Sequence, residues 1–111
     1  MKFSESLKKS KDFQNVYNKG NSYANRLLVM YVLENHTDKN RLGISVSKKV
    51  GNSVVRSRSK RLIYEAYRLN YHELKQGYDY VFVARSAIKD KKYSDVEGAM
   101  KNLFKKAGIY L

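Results

Sequence analysis

Apolar positions along the chain fall into two rhythms. Phe13, Val16 and Tyr17 recur at i, i+3 and i+4 and share one face of a short helix. Ser10 suits its N-cap, Asp12 its positive first turn and Gly20 its C-terminal stop. Residues 25–33 are almost continuously apolar and predict a strand covered on both faces. The polar stretch 35–40 then predicts a hairpin loop. Over 41–50 the pattern alternates, with Leu42, Ile44 and Val46 on one side and Gly43, Ser45 and Ser47 on the other. The second side is small and polar, and can lie open to a ligand. Gly51-Asn52-Ser53 breaks this strand and can cap a long helix over about 54–74. Gly77 ends the connection, and 78–85 is a third main strand rich in aromatic and β-branched residues. A last helix over about 94–107 carries the stripe Val96, Ala99, Met100, Leu103 and Phe104, closed by Gly108. The order α-β-β-α-β-α predicts an α+β sandwich.

At 111 residues the chain is one domain, 1–111, and the absence of proline leaves no linker signal. There is no cysteine, which excludes disulfides, zinc fingers and thiol catalysis. No apolar run approaches the roughly 20 residues of a membrane span. The first residues lack the apolar core of a signal peptide, so a soluble, cytoplasmic protein is expected. The net charge of +13 calls for a polyanionic partner. Nucleic acid comes first; an anionic membrane or polyphosphate comes second.

That charge is concentrated. Lys48, Lys49, Arg56, Arg58, Lys60, Arg61 and Arg68 stand against the single acid Glu65. At about 100° per residue, Arg56, Lys60, Tyr64, Arg68 and Arg61 share one arc of the long helix, with Tyr67 and Tyr71 inside it. Val55, Ser59, Leu62, Ile63, Ala66 and Leu69 occupy the opposite, packing arc. Ordinary surface helices interleave acids with bases, whereas this one offers only an Arg61–Glu65 pair. Arginine forks suit phosphates, and interleaved tyrosines suit unpaired bases. The face therefore reads as a surface for RNA or another single strand, not for double-stranded DNA, because no Asn/Gln code for the major groove accompanies it.

Catalytic chemistry is harder to find. His36 and His72 lack converging partners, and no carboxylates show metal-site spacing. No phosphate-cradling glycine loop is present, so no catalytic residue, metal site or small-molecule substrate is expected.

The block Gly43-Ile44-Ser45-Val46-Ser47-Lys48-Lys49-Val50-Gly51-Asn52-Ser53-Val54-Val55-Arg56-Ser57-Arg58-Ser59-Lys60-Arg61 resembles the signature of the bacterial ribonuclease P protein subunit. Lys11-Asp12-Phe13-Gln14, Tyr23-Ala24-Asn25-Arg26 and Val83-Ala84-Arg85 agree in order and spacing, so the likeness covers nearly the whole chain. The resemblance implies a fold like domain 2 of ribosomal protein S5, with a left-handed βαβ crossover. It implies a part in removing the 5′ leader from precursor tRNA, with catalytic ribonuclease P RNA and precursor tRNA as partners. Mg²⁺ would be held by the RNA subunit and substrate, none by the protein, which helps bind the leader and lowers the metal demand. The implied contacts with the RNA subunit are Lys48, Lys49, Asn52, Arg56, Ser57, Arg58, Lys60, Arg61 and Arg68. The implied leader contacts are Phe13, Tyr17 and Tyr31, with Lys60 at the edge and Tyr64 replacing an arginine frequent in the family. Ser57 stands where the family has asparagine. The basic helix and tyrosines also allow a small ribosomal protein or a general RNA chaperone.

Overall fold

The computed structural model describes residues 5–111. Its strands are β1 (Glu5–Ser6), β2 (Asn21–Ala24), β3 (Leu28–Glu34), β4 (Arg41–Ser45) and β5 (Tyr78–Ala84). Its helices are α1 (Ser10–Lys19), α2 (Ser53–Asn70) and α3 (Tyr93–Ala107), with 3₁₀ turns at Tyr71–Glu73 and Ser86–Ile88. All five strands form one sheet in the order β1-β4-β5-β3-β2.

The strand expected over 25–33 begins only at Leu28, because Asn25 folds the chain back. Its Oδ1 accepts the backbone N–H of Leu27 (3.2 Å) and Leu28 (3.1 Å), while its Nδ2 donates to the Ala99 carbonyl of α3 (2.8 Å). Before this turn lies β2, a mostly exposed edge strand with no apolar signal to announce it. The two-residue β1 is equally silent in sequence. Within β3 burial alternates: Leu28, Met30 and Val32 are buried, whereas Val29, Tyr31 and Leu33 are half-buried. One sheet face is therefore far better covered than the other.

The expected hairpin between β3 and β4 does not form. β5 lies between them, antiparallel to β3 and parallel to β4. The reason is burial: four consecutive residues of β5, Tyr80 to Phe82 with Asp79, are buried, which only a central strand achieves. The loop 35–40 instead wraps the start of β5. Asn35 Nδ2 donates to Asp79 Oδ1 (2.9 Å), and the buried Asn40 accepts the Tyr78 N–H (3.0 Å). Arg41 grips Asp79 with a fork, Nε to Oδ1 at 2.8 Å and Nη2 to Oδ2 at 2.6 Å, and this pairing raises the Arg41 pKa.

The pairings make β1, β4, β5 and β2 parallel to one another. The connections β1–α1–β2 and β4–α2–β5 cross the sheet in the same direction, on opposite faces. They therefore have opposite hands, and one departs from the right-handed rule. A left-handed crossover is thus required by the topology.

β4 stops at Ser45, short of the expected 50, because Val50 N–H closes a turn onto the Ser47 carbonyl at 3.1 Å. At α1 the N-cap is Lys9 in place of Ser10, with no side-chain cap. Asn52 caps α2 as expected, accepting the Val55 N–H at 3.0 Å. Gly108, in the left-handed region at φ 65°, closes α3.

The well-covered face packs Leu28, Met30, Val32, Leu42, Tyr80 and Phe82 under α2 and α3. The packing stripe of α2 is Ser59, Ile63, Ala66, Tyr67 and Asn70, rotated from the expected arc. Tyr67 is fully buried between Tyr80 (6.0 Å) and Phe82 (6.2 Å), while Leu69 is 46% exposed. The rotation brings the Ser59 and Asn70 side chains inward, where both find partners, while the half-buried Arg56 keeps a buried Nε with no hydrogen-bond partner. Ser59 Oγ donates to the Val55 carbonyl (2.9 Å), and Asn70 Nδ2 to Ala66 O (2.7 Å) and Glu97 Oε2 (2.9 Å). Tyr93 also donates to Glu97 (2.8 Å), and these bonds hold the Glu97 carboxyl below the usual carboxylate range.

Two outcomes are expected. Asp79 is 1% exposed whereas the Arg41 side chain is 32% exposed and can rehydrate. Asp79→Ala should therefore lower unfolding free energy by about 2–3 kcal/mol, below the usual cost of breaking a fully buried pair, as read from urea melts. The carboxylate of Glu97, with its lowered folded-state pKa, stabilises above its unfolded value of about 4.3, and that stability is lost as pH falls through the folded value. The gap in urea midpoint between parent and Glu97→Gln should accordingly narrow between pH 6 and pH 3; a constant gap would contradict the linkage.

Candidate nucleic-acid interface

On the other sheet face, α1 alone supplies cover. Leu7, Val16 and Val81 are buried there, with Phe13, Tyr17, Tyr31, Leu33 and Val83 packed around them. A ten-residue helix cannot span five strands. The register sets Val29, Val83 and Ser45 in one row across β3, β5 and β4, and Tyr31, Val81 and Gly43 in the next. Val81 is sealed by α1; Val29, Val83 and Ser45 stay half-exposed. An open trough one strand row wide results.

Three predicted aromatics meet at its border. The Phe13 and Tyr17 rings lie 6.3 Å apart, and Tyr17 meets Tyr31 edge-on at 4.9 Å. All three are half-buried: fixed by packing, with surface left over. The expectation of an open small-residue face needs correction at Gly43, which is buried beneath Phe13; Ser45 is half-exposed and Ser47 exposed.

The basic cluster sits where β4 hands over to α2. Lys48 and Lys49 project from the turn, and Ser57, Lys60 and Arg61 are exposed on the helix. Arg56 and Arg58 are half-buried. Arg58 Nη2 donates to the Lys91 carbonyl at 2.8 Å, tying α2 to the segment before α3. Asn52 spends its Oδ1 on the helix cap. Arg68 is a different case. Its fork is engaged by Glu65, Nε to Oε1 and Nη2 to Oε2 both at 2.9 Å, so Glu65 pairs with Arg68 and not with Arg61. The bond lowers the Glu65 pKa and raises that of Arg68. Tyr64 is not brought to the aromatic trio; it packs against the core on the opposite sheet face. Lys60 shares that helix.

Sequence reading missed Arg26 and Arg85. They line a depression of about 580 Å³ with Ser47, Lys49, Val50, Ala84, Ser86 and Ala87. Three cations and no acid thus converge where β3 begins and β4 and β5 end. Arg85 is held by its Nη1 donating to the Asn25 carbonyl (3.0 Å). Arg26 and Arg85 are distant in sequence and meet only because Leu28 pairs with Ala84. Each alone is an unremarkable arginine beside a strand.

Among the described residues, no three His, Asp or Glu side chains gather where they could hold a metal ion. His36 and His72 are exposed, with Glu34 (3.9 Å) and Glu73 (4.0 Å) as their respective acidic neighbours. No described helix is long and apolar enough to cross a membrane.

The two kinds of arginine should separate in stability. Arg58→Ala should cost about 1 kcal/mol through the lost bond to Lys91. Arg61→Ala, on an exposed position, should stay within about 0.5 kcal/mol of the parent. Equal thermal midpoints for the two variants would mean that the Arg58 tether contributes nothing.

Known proteins share this arrangement. The ribonuclease P family model matches residues 1–108. The ribonuclease P protein component of Clostridium botulinum (strain Loch Maree / Type A3) is 59% identical over 105 residues, covering 94% of this chain and 95% of that protein. That of Clostridium novyi (strain NT) is 57% identical over 112 residues, covering 99% of each. A solved Staphylococcus aureus RNase P protein superimposes with a TM-score of 0.88 at 37% identity, covering 97% of this chain and 99% of that one. The Thermotoga maritima RNase P protein gives 0.84 at 29% identity, covering 92% and 96%. With the family model spanning the signature block and both flanking elements, the chain belongs to the ribonuclease P protein family.

Proposed function

We propose that this chain is the protein partner of a catalytic ribonuclease P RNA and assists it in removing the 5′ leader from precursor tRNA. The observation that carries this reading is the trough. A half-open sheet row bordered by three fixed rings, with three cations gathered beyond the strand ends, suits an extended single strand. Family membership favours it over a ribosomal protein or a general RNA chaperone.

In this reading Phe13, Tyr17 and Tyr31 offer ring surface to leader bases. Lys48, Lys49, Arg56, Arg58, Lys60 and Arg61 face the RNA subunit, with Ser57 and the free amide of Asn52 between them. Arg26 and Arg85 join Lys49 on the phosphates leaving the trough. Arg68 and Tyr64 contribute less, since one is ion-paired and the other packed. The RNA subunit and substrate hold Mg²⁺, and the RNA subunit performs the cleavage. The protein lowers the metal demand by replacing counterions around crowded phosphates with fixed cations. The setting is the cytoplasm.

The test is precursor-tRNA cleavage at low Mg²⁺ with a ribonuclease P RNA, with and without the protein. Cleavage at the mature 5′ end should need both; an RNA indifferent to the protein, including the RNA of the same organism, would sink the proposal. Replacing Phe13, Tyr17 or Tyr31 by alanine should weaken leader-bearing substrate by about 1–3 kcal/mol per stacked base and spare leaderless tRNA. Removing Arg61 or Lys60 should flatten the salt dependence of binding by about 0.7–0.9 per lost phosphate contact. An unchanged slope would remove that residue from the interface.

A further inference from the structure

The aromatic trio has a feature on the strand beneath it. An alanine methyl built on Gly43 would lie 2.7 Å from Phe13 Cε1 and 2.8 Å from Cζ. Its next neighbour, Leu7 Cδ1 at 3.2 Å, is the tip of a flexible side chain that can give way. The Phe13 ring thus rests directly on the bare backbone of β4. Nothing else about Gly43 demands glycine. Its φ is not in the left-handed region, where only Gly77 and Gly108 are found among the described glycines. It sits in regular parallel register opposite Val81. By backbone entropy alone, alanine there would be neutral or mildly stabilising.

We infer that Gly43 is a positioning residue for the leader trough: its missing side chain is the seat that fixes the Phe13 ring in line with Tyr17 and Tyr31. The inference rests on the proposed leader reading and adds a residue with no polar or aromatic group of its own. The physical argument is steric. Phe13 is bounded on α1 by Tyr17 and below by Leu7, Val16 and Val81. A methyl on Gly43 cannot push the ring deeper, so the ring must swing outward and leave the line of the other two. A displaced ring no longer offers its face beside Tyr17.

The experiment is a double-mutant cycle on the enzyme reconstituted with ribonuclease P RNA. Affinity is measured for precursor tRNA and for the same tRNA without its leader. Gly43→Ala should weaken the leader-bearing substrate by about 5-fold or more, the lower bound for one base–ring stack. Leaderless tRNA and the RNA subunit should bind as to the parent. Phe13→Ala should show the same selective loss, and Phe13→Ala with Gly43→Ala should bind no more weakly than Phe13→Ala alone, since the methyl then displaces nothing. Multiplying losses would overturn the inference, as would a Gly43→Ala enzyme that binds the leader normally while Phe13→Ala does not. If Phe13→Ala itself costs nothing, the leader reading fails and takes this inference with it. Should Gly43→Ala fail to fold, the double variant must fold, because the clashing ring is gone; its failure would place the defect in β4 and refute the seat. A direct readout is the α-proton NMR shift of Gly43. In the parent it carries the ring current of Phe13, and that contribution must vanish in Phe13→Ala.

Discussion

The structure depends on where β5 is placed. Its run of buried residues can be covered only at the centre of the sheet, between β3 and β4. Once it is there, β4 and β5 are parallel neighbours and need a helical crossover, which is α2. The β3–β4 connection must arch over the start of β5, and its polar groups are consumed in doing so, at Asn35, Asn40 and the Arg41–Asp79 fork. At the other end, the same placement sets Arg85 beside the turn that carries Arg26 and beside the lysines leading into α2. One strand insertion thus builds a sealed end and a cationic end of one sheet.

The charge is arranged by the same economy of acids. With ten acids against twenty-three bases, there are too few carboxylates to match most of the cations. Acids with internal work are placed away from the trough: Asp79 anchors the loop end, Glu65 matches Arg68, and Glu97 ties α3 to α2. The N-terminal half of α2 and the turn before it keep their charge unmatched. Such a surface repels itself until polyanion is present, so the charge that destabilises the free protein also suits it to a polyanion.

The uncovered sheet row follows from unequal helix supply. Two helices of 18 and 15 residues lie on one face and one of 10 on the other. The short helix contributes its half-buried rings instead of sealing the surface. Packing fixes the rings in place, so little side-chain entropy is left to lose on contact with any ligand.

Much of this was legible in the sequence because it depends on neighbours along the chain. The helical periods, the Asn52 cap, the Gly108 stop and the clustering of cations between Lys48 and Arg61 are local properties, and the last of them pointed to a polyanionic partner. The signature block indicated the family. What escaped was non-local. A hairpin and a crossover look alike across residues 35–40, and only the competition of strands for the sheet centre chooses between them. The arc of α2 that packs was misjudged because Tyr67 and Asn70 bury polar atoms whose partners lie on other elements or depend on the final helix. The edge strand β2 has no apolar signal, since an exposed edge needs none. Arg26 and Arg85 came together only through the β3–β5 register, and Gly43 came under a ring only when a helix from elsewhere set Phe13 upon it. The sequence by itself determined the three helices, the three main strands, the charge and the family, because these are written in adjacent residues. The tertiary structure decided which faces close and which groups converge, because burial is a property of the whole chain.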